Sequence, residues 1–374
     1  KATLFETAMS AENLPFLTDH RVYGTIVAPG ACHLAMVLSA AELAFSAEQP
    51  GAGAWHYELT DVIFPQALAV EDDETRTAQV IFKPGKRNGA GPHADFELIS
   101  FTTAPSAQEE LSAQNHASGK VGMTRHEAAA TLTLADLQAR FTQPVTALPA
   151  SSIGQQAAPL YYGPSFQWLE AAWQQPGREQ PTAVLTRLRR PDAVTTVAGY
   201  PLHPGLLDSC FQSTALVQTM TPAHELYLPF AVAEMHFAGS ATAQTENDQW
   251  WCYTEQVDAL KWHLWIFTNA GDCVATLQGF ELRAASPAAI QTSRLRTDWL
   301  YALTWEATPL AQALPQTTTS APDGWLIFGQ AAGLGGALAT ALTTPATSAP
   351  PFTLLVQPGR TFAIDAQQQV TVDP

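Results

Sequence analysis

The segment from residue 29 to 47 constrains the fold more than any other, because a helix formed by it must be buried on nearly every side. It opens at Pro29 and remains apolar through Phe45, interrupted by His33 and Glu42. A helix without a polar face is typical of a buried core, and the run is short for a membrane span. The rest of the fold must therefore supply a surface that surrounds this helix.

Strand-like segments follow the helix and can supply that surface. Gly- and Pro-rich turns separate them, which favours a curved antiparallel sheet around the helix. A second apolar helix, again opened by a Pro-Gly pair, is predicted over 203–219, so the sequence predicts a duplicated fold of the α+β class. The predicted strands are 55–64, 76–83, 96–103 and 117–123 in the first half, and 161–173 (strand or turn), 183–188, 231–237, 249–256, 263–269 and 274–283 in the second.

A third unit follows a break in this pattern. A strand over 299–306, a strand at 324–329, a Gly-led helix over 330–342 and a strand at 352–356 have the order of the start of a doubly wound α/β domain. Pro374 comes too early to complete such a domain, so we expect the sequence to continue in a longer polypeptide. The predicted boundaries are an N-terminal half over 1–128, a linker over 129–150, a C-terminal half over 151–285, a linker over 286–298 and the third unit over 299–374.

The composition argues against several classes of function. A formal net charge of −16, from 34 acidic and 18 basic residues, disfavours nucleic acid or an anionic membrane surface as a partner. The four cysteines have no CxxC spacing, which argues against a metal site or a disulfide framework and favours a reducing, cytoplasmic setting. Residues 1–17 lack the basic-then-apolar pattern of a signal peptide.

His20 lies before the first helix at a spacing that suits acid–base chemistry. Gly24 follows four residues later, and Pro29 and Gly30 open the helix. The first backbone amides of a helix have no partner within it, and Gly30 lets another group approach them. A histidine base beside such donors suits a reaction that builds negative charge on a carbonyl oxygen. The alternative is a structural histidine.

A second ionisable centre lies on the second predicted helix. Asp208 is surrounded in sequence by leucine, cysteine and phenylalanine, and Gln212 follows four residues later on the same face. Burying an unpaired carboxylate is costly, and burial raises the pKa of a carboxyl group, which makes Asp208 a candidate proton donor. The alternative is a carboxyl group satisfied by a local hydrogen bond.

Five short motifs together resemble those of dehydratase domains in modular type I polyketide synthases. Their order and spacing match over about residues 1–285. The segment CHLAMVLSAAE lacks the acidic residue expected a few positions after the first Pro-Gly pair. The motifs are HxxxGxxxxP at His20, Gly24 and Pro29, HASG at His116–Gly119, YGP at Tyr162, Gly163 and Pro164, DxxxQ at Asp208 and Gln212, and LPF at Leu228, Pro229 and Phe230.

This resemblance implies a double hotdog fold, in which two antiparallel sheets each wrap a long apolar helix. It places His20 opposite Asp208 across a substrate tunnel, as the base and the acid that convert a 3-hydroxyacyl thioester to a 2-enoyl thioester. The substrate would be held on the phosphopantetheine arm of an acyl carrier protein, with no cofactor bound by the domain itself. The implied partners are the carrier protein, the neighbouring synthase domains and a second copy of the chain in a homodimer.

Further residues receive roles in the same scheme. We expect the Gly30 N–H to hydrogen-bond the thioester oxygen, Tyr162 to hold the β-hydroxyl group or Asp208, and Gln212 to orient Asp208. We expect His33 to be a core histidine and His203 to cap or pack the start of the second helix. The residues predicted to shape the tunnel are Gly24, Pro29, Gly163, Pro164, Leu228, Pro229 and Phe230.

Alternative functions remain open at this point. The same pair could cyclise a chain hydroxyl group onto the new alkene to form a pyran ring, or shift the double bond, and a non-catalytic module could dimerise or dock the carrier protein. The tail from residue 299 resembles the opening of a ketoreductase structural subdomain, a degenerate Rossmann-like fragment. Nucleotide binding is not expected there, because Gly329, Gly333, Gly335 and Gly336 do not form G-x-G-x-x-G.

Overall fold

The structure, a computed structural model, divides into two units, Lys1–Thr297 and Asp298–Pro374. Among the described residues, no helix is long and apolar enough to cross a membrane. The residues described are 2–45, 56–85, 91–101, 113–124, 132–146, 148, 159–178, 181–217, 226–238, 248–285, 324–343, 352–358, 363–364 and 369–372.

The first half of the larger unit contains one long helix and eight strands. A 3-10 helix over Pro15–Asp19 leads directly into the strand that begins at His20. The elements are β1 Thr3–Met9, β2 His20–Val22, β3 Thr25–Ala28, α1 Gly30–Phe45, β4 His56–Ile63, β5 Leu68–Val70, β6 Arg76–Pro84, β7 His93–Phe101 and β8 Ala113–Thr124.

The second half repeats this order with a shorter central helix. The helix predicted over 203–219 ends at Gln212 and continues as a 3-10 helix over Ser213–Leu216, so the predicted length was wrong. Hydroxyl groups of that turn bond the preceding carbonyls, as Thr214 does to Phe211, which draws the chain into the tighter turn. The elements are α2 Leu134–Arg140, β9 Gln143–Pro144, β10 Leu160–Tyr162, β11 Leu169–Gln174, β12 Ala183–Arg189, α3 Pro204–Gln212, β13 Leu226–Phe237, β14 Gln249–Asp258, β15 Lys261–Thr268 and β16 Cys273–Ala285.

The strands of the two halves join edge to edge in one sheet. Its order is β1-β6-β7-β8-β4-β13-β16-β15-β14-β12-β11-β9, with antiparallel pairing throughout. The junction is the β4–β13 pair, where Leu59 lies opposite Met235 and Val62 opposite Val232. All four side chains are buried. The double hotdog therefore has a single twelve-stranded sheet, in which the two expected sheets are continuous.

Helix α1 occupies the core of the first half, as predicted from its apolar sequence. Leu34, Val37, Leu38 and Ala41 are almost completely excluded from solvent, and α1 contacts both β8 and the second-half helix α3. The helix emerges from the core at its end, where Leu43 is exposed. The two central helices are thus neighbours in the fold.

A small four-stranded sheet, ordered β10-β2-β3-β5, links the two halves a second time. In it Tyr162 of β10 lies directly opposite His20 of β2. Strands β2 and β3 form a hairpin whose two turn residues, Tyr23 and Gly24, both have positive φ angles, 49° and 80°. Such a turn matches the right-handed twist of the flanking strands.

The smaller unit contains a short β-α-β arrangement. Its elements are β17 Gly324–Phe328, α4 Leu334–Thr343, β18 Phe352–Pro358, β19 Ala363–Ile364 and β20 Gln369–Val372. Strand β18 pairs in parallel with both β17 and β20, whereas β19 pairs antiparallel with β20. The strand predicted over 299–306 and the linker predicted over 286–298 lie outside the described residues.

Candidate active site

His20 is buried at the start of β2 and has a defined tautomer. Its Nδ1 lies 2.7 Å from the Val27 carbonyl oxygen. A carbonyl oxygen can only accept, so Nδ1 carries the proton and Nε2 keeps a free lone pair. Burial lowers the pKa of His20, while the nearby charge of Asp208 and the bond to Val27 oppose this shift. The imidazole is therefore a neutral base near physiological pH.

Asp208 lies on the first two turns of α3, where it is almost fully buried. Gln212 donates from Nε2 to Asp208 Oδ2 at 3.1 Å and to the Phe166 carbonyl oxygen at 3.0 Å. Burial raises the pKa of Asp208, and the interactions with His20, Gln212 and Tyr162 act against this shift. Asp208 is thereby held by its neighbours and shifted towards the protonated form.

Tyr162 connects the two ionisable side chains. Its ring packs against the His20 imidazole with centroids 5.4 Å apart, and its hydroxyl group is close enough to the Asp208 carboxyl group for each to shift the pKa of the other. Burial and the charge of Asp208 raise the pKa of Tyr162 well above 10. The phenol therefore stays protonated and has a proton with which it can donate to Asp208.

Together these groups place in one buried site a histidine shifted towards its neutral form and a carboxyl group shifted towards its protonated form. The two helices and the small sheet bring His20 from the first half towards Asp208 from the second. The pKa shifts caused by burial are opposite in direction because burial disfavours the charged form of each group. Such a pair can remove one proton and deliver another in the same reaction.

The start of α1 lies beside residues of the second half. Pro29 precedes the helix, and its carbonyl oxygen accepts from the Cys32 N–H at 2.8 Å. A Cβ atom placed on Gly30 would be 3.2 Å from Pro229 Cβ and 3.5 Å from the Phe64 ring. As the first helical residue, Gly30 directs its N–H out of the helical ladder.

The YGP motif positions the base through a contact between the halves. Gly163 N–H donates to the Asp19 carbonyl oxygen at 2.7 Å, and Ser165 N–H donates to the Asp19 carboxylate at 2.9 Å. A Cβ atom on Gly163 would lie 2.2 Å from Asp19 Oδ1, so this position requires glycine. The Asp19 carboxylate thus accepts a hydrogen bond from the 3-10 helix of Pro164–Phe166.

Several residues predicted to shape a tunnel have other roles in the structure. Gly24 is exposed in the β2–β3 turn, and Pro164 is exposed at the first position of the 3-10 helix. The Phe230 ring lies 3.2 Å from the guanidinium of Arg283, a side chain that is 60% exposed. Leu228 packs on the small cluster beneath the β2–β3 hairpin. Of the LPF segment, Pro229 is the residue placed against the start of α1.

Phe166 and Ser209 support the site without having been predicted from the sequence. The buried Phe166 ring packs on His20 with centroids 5.3 Å apart. Its carbonyl oxygen accepts from Gln212, and from Ser209 Oγ at 2.9 Å. The adjacent YGP motif was the signal that could have drawn attention to Phe166, but a backbone carbonyl carries no sequence signature.

His203 lies at the start of α3, as expected from the sequence, and the four cysteines are free thiols. His203 Nδ1 accepts from the Gly205 N–H at 3.1 Å and caps α3. Cys32 and Cys210 are buried free thiols, and burial raises the pKa of Cys32 to about 12. These thiols are therefore protonated and unreactive.

One group of described residues outside the buried pair has the composition of a metal site. Glu58, Glu234 and His236 offer ligand atoms within 4.8 Å of one another across the β4–β13 pair. His236 Nε2 lies 2.5 Å from Glu234 Oε1, so the two side chains form a contact with each other. This contact accounts for the grouping without an ion.

Two family models match this chain. The model described as the polyketide synthase dehydratase domain matches residues 1–100, and the model described as the polyketide synthase dehydratase N-terminal domain matches residues 129–292. Both halves of the larger unit are thus covered by models of one family.

Solved structures and curated proteins show the same similarity. The dehydratase domain from the CurJ module of the curacin polyketide synthase is 31% identical, with a TM-score of 0.64, over 78% of this chain and 94% of that chain. Polyketide synthase PksN of Bacillus subtilis is 25% identical over 72% of this chain, and a mycocerosic acid synthase-like polyketide synthase of Mycobacterium tuberculosis is 25% identical over 84%. The chain spans 5% and 14% of the lengths of these two curated relatives.

Proposed function

Since this chain belongs to the polyketide synthase dehydratase family, whose members are hydro-lyases, we propose that His20 and Asp208 are the base and the acid of its reaction. The observation that carries this proposal is the burial of the two groups in one site, where their pKa values shift in opposite directions. A solved CurJ dehydratase with histidine replaced by phenylalanine is described as inactive, which supports a histidine-dependent reaction.

The proposed reaction removes water from a 3-hydroxyacyl thioester. His20 Nε2 takes the proton from Cα, and the electron pair of that C–H bond forms the Cα–Cβ double bond through an enolate-like state. The Gly30 N–H stabilises the developing charge on the thioester oxygen; one such donor is typically worth about 3 kcal/mol. Asp208 protonates the departing β-hydroxyl group, so that water leaves as the Cβ–O bond breaks.

The same proposal extends to the carrier of the substrate and to the partners. The thioester would be presented on the phosphopantetheine arm of an acyl carrier protein, and no further cofactor is needed because proton transfer is the whole chemistry. We propose that the chain works beside other synthase domains, as a homodimer within the synthase. The relatives to which it is similar are polyketide synthases of much greater length.

The test is product analysis with a 3-hydroxyhexanoyl-pantetheine thioester. Wild-type protein should give a product lighter by one water, whereas His20→Phe and Asp208→Asn should lose at least about 100-fold in rate. Matched controls are His263→Phe and Asp95→Asn, on strands away from the pair. Unchanged activity in a folded His20→Phe protein would rule out the assigned base.

The structure of the product distinguishes dehydration from cyclisation and from a double-bond shift, three reactions that could all use His20 and Asp208. NMR of the product would reveal a pyran ring from a substrate with a distal hydroxyl group, or a shifted double bond from one with γ-hydrogens. Absence of any conversion by folded wild-type protein, together with measurable carrier-protein binding, would instead favour a non-catalytic docking module.

A further inference from the structure

His33 is a buried histidine that the proposed reaction does not use. It lies in the first turn of α1, three residues after Gly30, and is 3% exposed. Within the described part of the chain, neither of its ring nitrogens has a hydrogen-bond partner. Leaving a buried polar side chain unpaired destabilises a fold, so this imidazole requires an explanation that packing alone does not give.

The neighbours of His33 place it next to the proposed catalytic groups. Its ring packs on Phe64 with centroids 5.9 Å apart, and Phe64 is the side chain that adjoins Gly30. His33 is also close enough to His20 for the charge of one to affect the pKa of the other. His33 is therefore close to both Gly30 and His20, the residues proposed to bind the thioester oxygen and to remove the Cα proton.

The nearest histidine does not satisfy His33. The His116 ring is 6.3 Å from the His33 ring, centroid to centroid. Its Nε2 lies 2.7 Å from Ser100 Oγ, and its Nδ1 lies 3.2 Å from the Gln66 carbonyl oxygen. Both nitrogens of His116 are thus engaged elsewhere, and the pair shares no hydrogen bond.

We propose that His33 is a specificity-determining residue, which hydrogen-bonds an oxygen substituent of the acyl chain beyond the reacting Cα–Cβ unit. This inference rests on the proposed function, because it assumes that the acyl chain enters between α1 and the His20–Asp208 pair. The substrates that it selects are 3-hydroxyacyl thioesters with a second hydroxyl group or a carbonyl group further along the chain.

The charge state of His33 defines which oxygen groups fit. Burial, with smaller effects from His116 and His20, lowers the pKa of His33 to about 3. A neutral imidazole offers one N–H donor and one acceptor. A hydroxyl group can satisfy either nitrogen and a carbonyl group can accept from the N–H, whereas an alkyl chain leaves both nitrogens unpaired.

The experiment compares substrates that differ by one oxygen atom. Pantetheine thioesters of 3-hydroxyhexanoate, 3,5-dihydroxyhexanoate and 3,6-dihydroxyhexanoate are assayed with wild type, His33→Phe and His33→Gln. In wild type, kcat/KM for one of the two dihydroxy substrates should exceed kcat/KM for 3-hydroxyhexanoate by about 10-fold or more. A buried site discriminates at this level against a substrate that leaves its hydrogen-bonding groups unpaired. His33→Phe should reduce this ratio to near one, and His33→Gln, which retains a donor and an acceptor, should keep most of it.

A binding measurement makes the outcome independent of the chemistry. Calorimetric titration of His20→Phe with the same thioesters should show the preference, and His20→Phe/His33→Phe should lose it. An equal ratio in wild type and a folded His33→Phe protein, or no preference for either dihydroxy substrate, overturns the role of His33. An equal loss of kcat/KM in His33→Phe with all three substrates overturns this role too, since that result would place His33 at the thioester end that the substrates share. If binding shows the preference but wild type dehydrates nothing, the proposed function fails and the inference about His33 stands.

Discussion

At the scale of single residues, burial is what turns an ordinary histidine and an ordinary aspartate into a matched base and acid. The imidazole loses affinity for a proton, and the carboxyl group gains it. Val27 fixes the proton on His20 Nδ1, and Gln212 and Tyr162 hold the carboxyl group. Each group is thus shifted towards the protonation state that the proposed dehydration needs.

The pH dependence of the reaction follows from these shifts. The reactive pair carries one proton, so kcat/KM should fall when a second proton binds and when the last one leaves. Because the His20 pKa lies below 6.5, activity should persist at pH 6.5 and fall below it. The alkaline limb belongs to loss of the last proton from the pair, and burial of Asp208, which raises its pKa, moves that limb to higher pH. A kcat/KM profile that falls steeply through pH 6.5 would contradict the assignment.

Gln212 should tune the alkaline limb. Its N–H donates to Asp208 and favours the ionised carboxylate, so Gln212→Met should raise the pKa of Asp208. The alkaline limb of kcat/KM should then move to higher pH. Glu255→Met, on strand β14, is a control for a general effect of the substitution. A limb that stays in place or moves to lower pH in Gln212→Met would show that Gln212 does not act on the carboxyl group.

At the scale of secondary-structure elements, two short turns set the positions of the proposed catalytic side chains. The 3-10 helix of Pro164–Phe166 is held against Asp19, directly before His20. The β2–β3 hairpin brings the Val27 carbonyl oxygen to His20. Hydrogen bonds to backbone groups hold both elements in place, so both depend on close backbone fit.

Gly163→Ala should damage both stability and activity. The new Cβ atom would lie 2.2 Å from the Asp19 carboxylate and displace the cap of Ser165, which should cost about 2–3 kcal/mol in the free energy of unfolding. Activity should fall further than stability explains, because Tyr162 precedes the altered residue. Gly85→Ala is the matched control, since its Cβ atom would meet nothing closer than 3.5 Å. Equal urea-denaturation midpoints for the two variants would contradict this account.

Gly24 should contribute to the stability of the fold through its backbone conformation alone. With φ at +80° and open space around its Cβ position, Gly24→Ala should cost about 1 kcal/mol from the left-handed conformation. Gly24→Asn should cost less, because asparagine tolerates that region better. Thermal unfolding of the two variants measures the difference. A larger loss in Gly24→Asn than in Gly24→Ala would point to a contact that the turn geometry does not include.

At the scale of the whole molecule, the site exists because the two halves share both sheets. The twelve-stranded sheet is continuous through β4 and β13, and the small sheet pairs β10 with β2. His20 and Asp208 come from different halves, and α1 contacts α3 between them. The duplicated fold therefore creates at its junction a site that neither half contains.

Buried histidines should make this fold sensitive to acid. Burial lowers the pKa of His33 to about 3 and those of His116 and His203 to about 4. Each remains neutral in the folded protein but takes up a proton on unfolding below about pH 6.5, so its contribution is present above that pH and lost as pH falls. Each should remove about 2 kcal/mol from the free energy of unfolding between pH 7.5 and 5.

The variant His33→Phe isolates one of these contributions. Urea denaturation at pH 7.5 and at pH 5 should show that the variant loses about 2 kcal/mol less than wild type over this interval. The comparison is a difference of differences, so the other titrating groups cancel. The same acid sensitivity in both proteins would show that His33 is not neutral and buried in the folded state.

The sequence by itself determined the fold class, the two central helices and most strands, because each depends on local patterns of apolar side chains. The α1 helix shows this: its apolar residues predicted a buried helix, and the structure places it in the core. Motif order likewise identified His20 and Asp208 as candidates. The length of α3 was mispredicted, since hydroxyl-to-backbone bonds decide where the α-helix becomes a 3-10 helix.

The tertiary structure alone decided how the halves join and what surrounds the pair. The β4–β13 junction, the carboxylate of Asp19 beside Gly163 and the carbonyl oxygen of Phe166 beside Gln212 all join residues far apart in sequence. No local pattern encodes such contacts, because backbone groups are the same in every residue and their partners are set by packing. Burial of His20 and Asp208 is a property of that packing, and it gives the two residues their opposite pKa shifts.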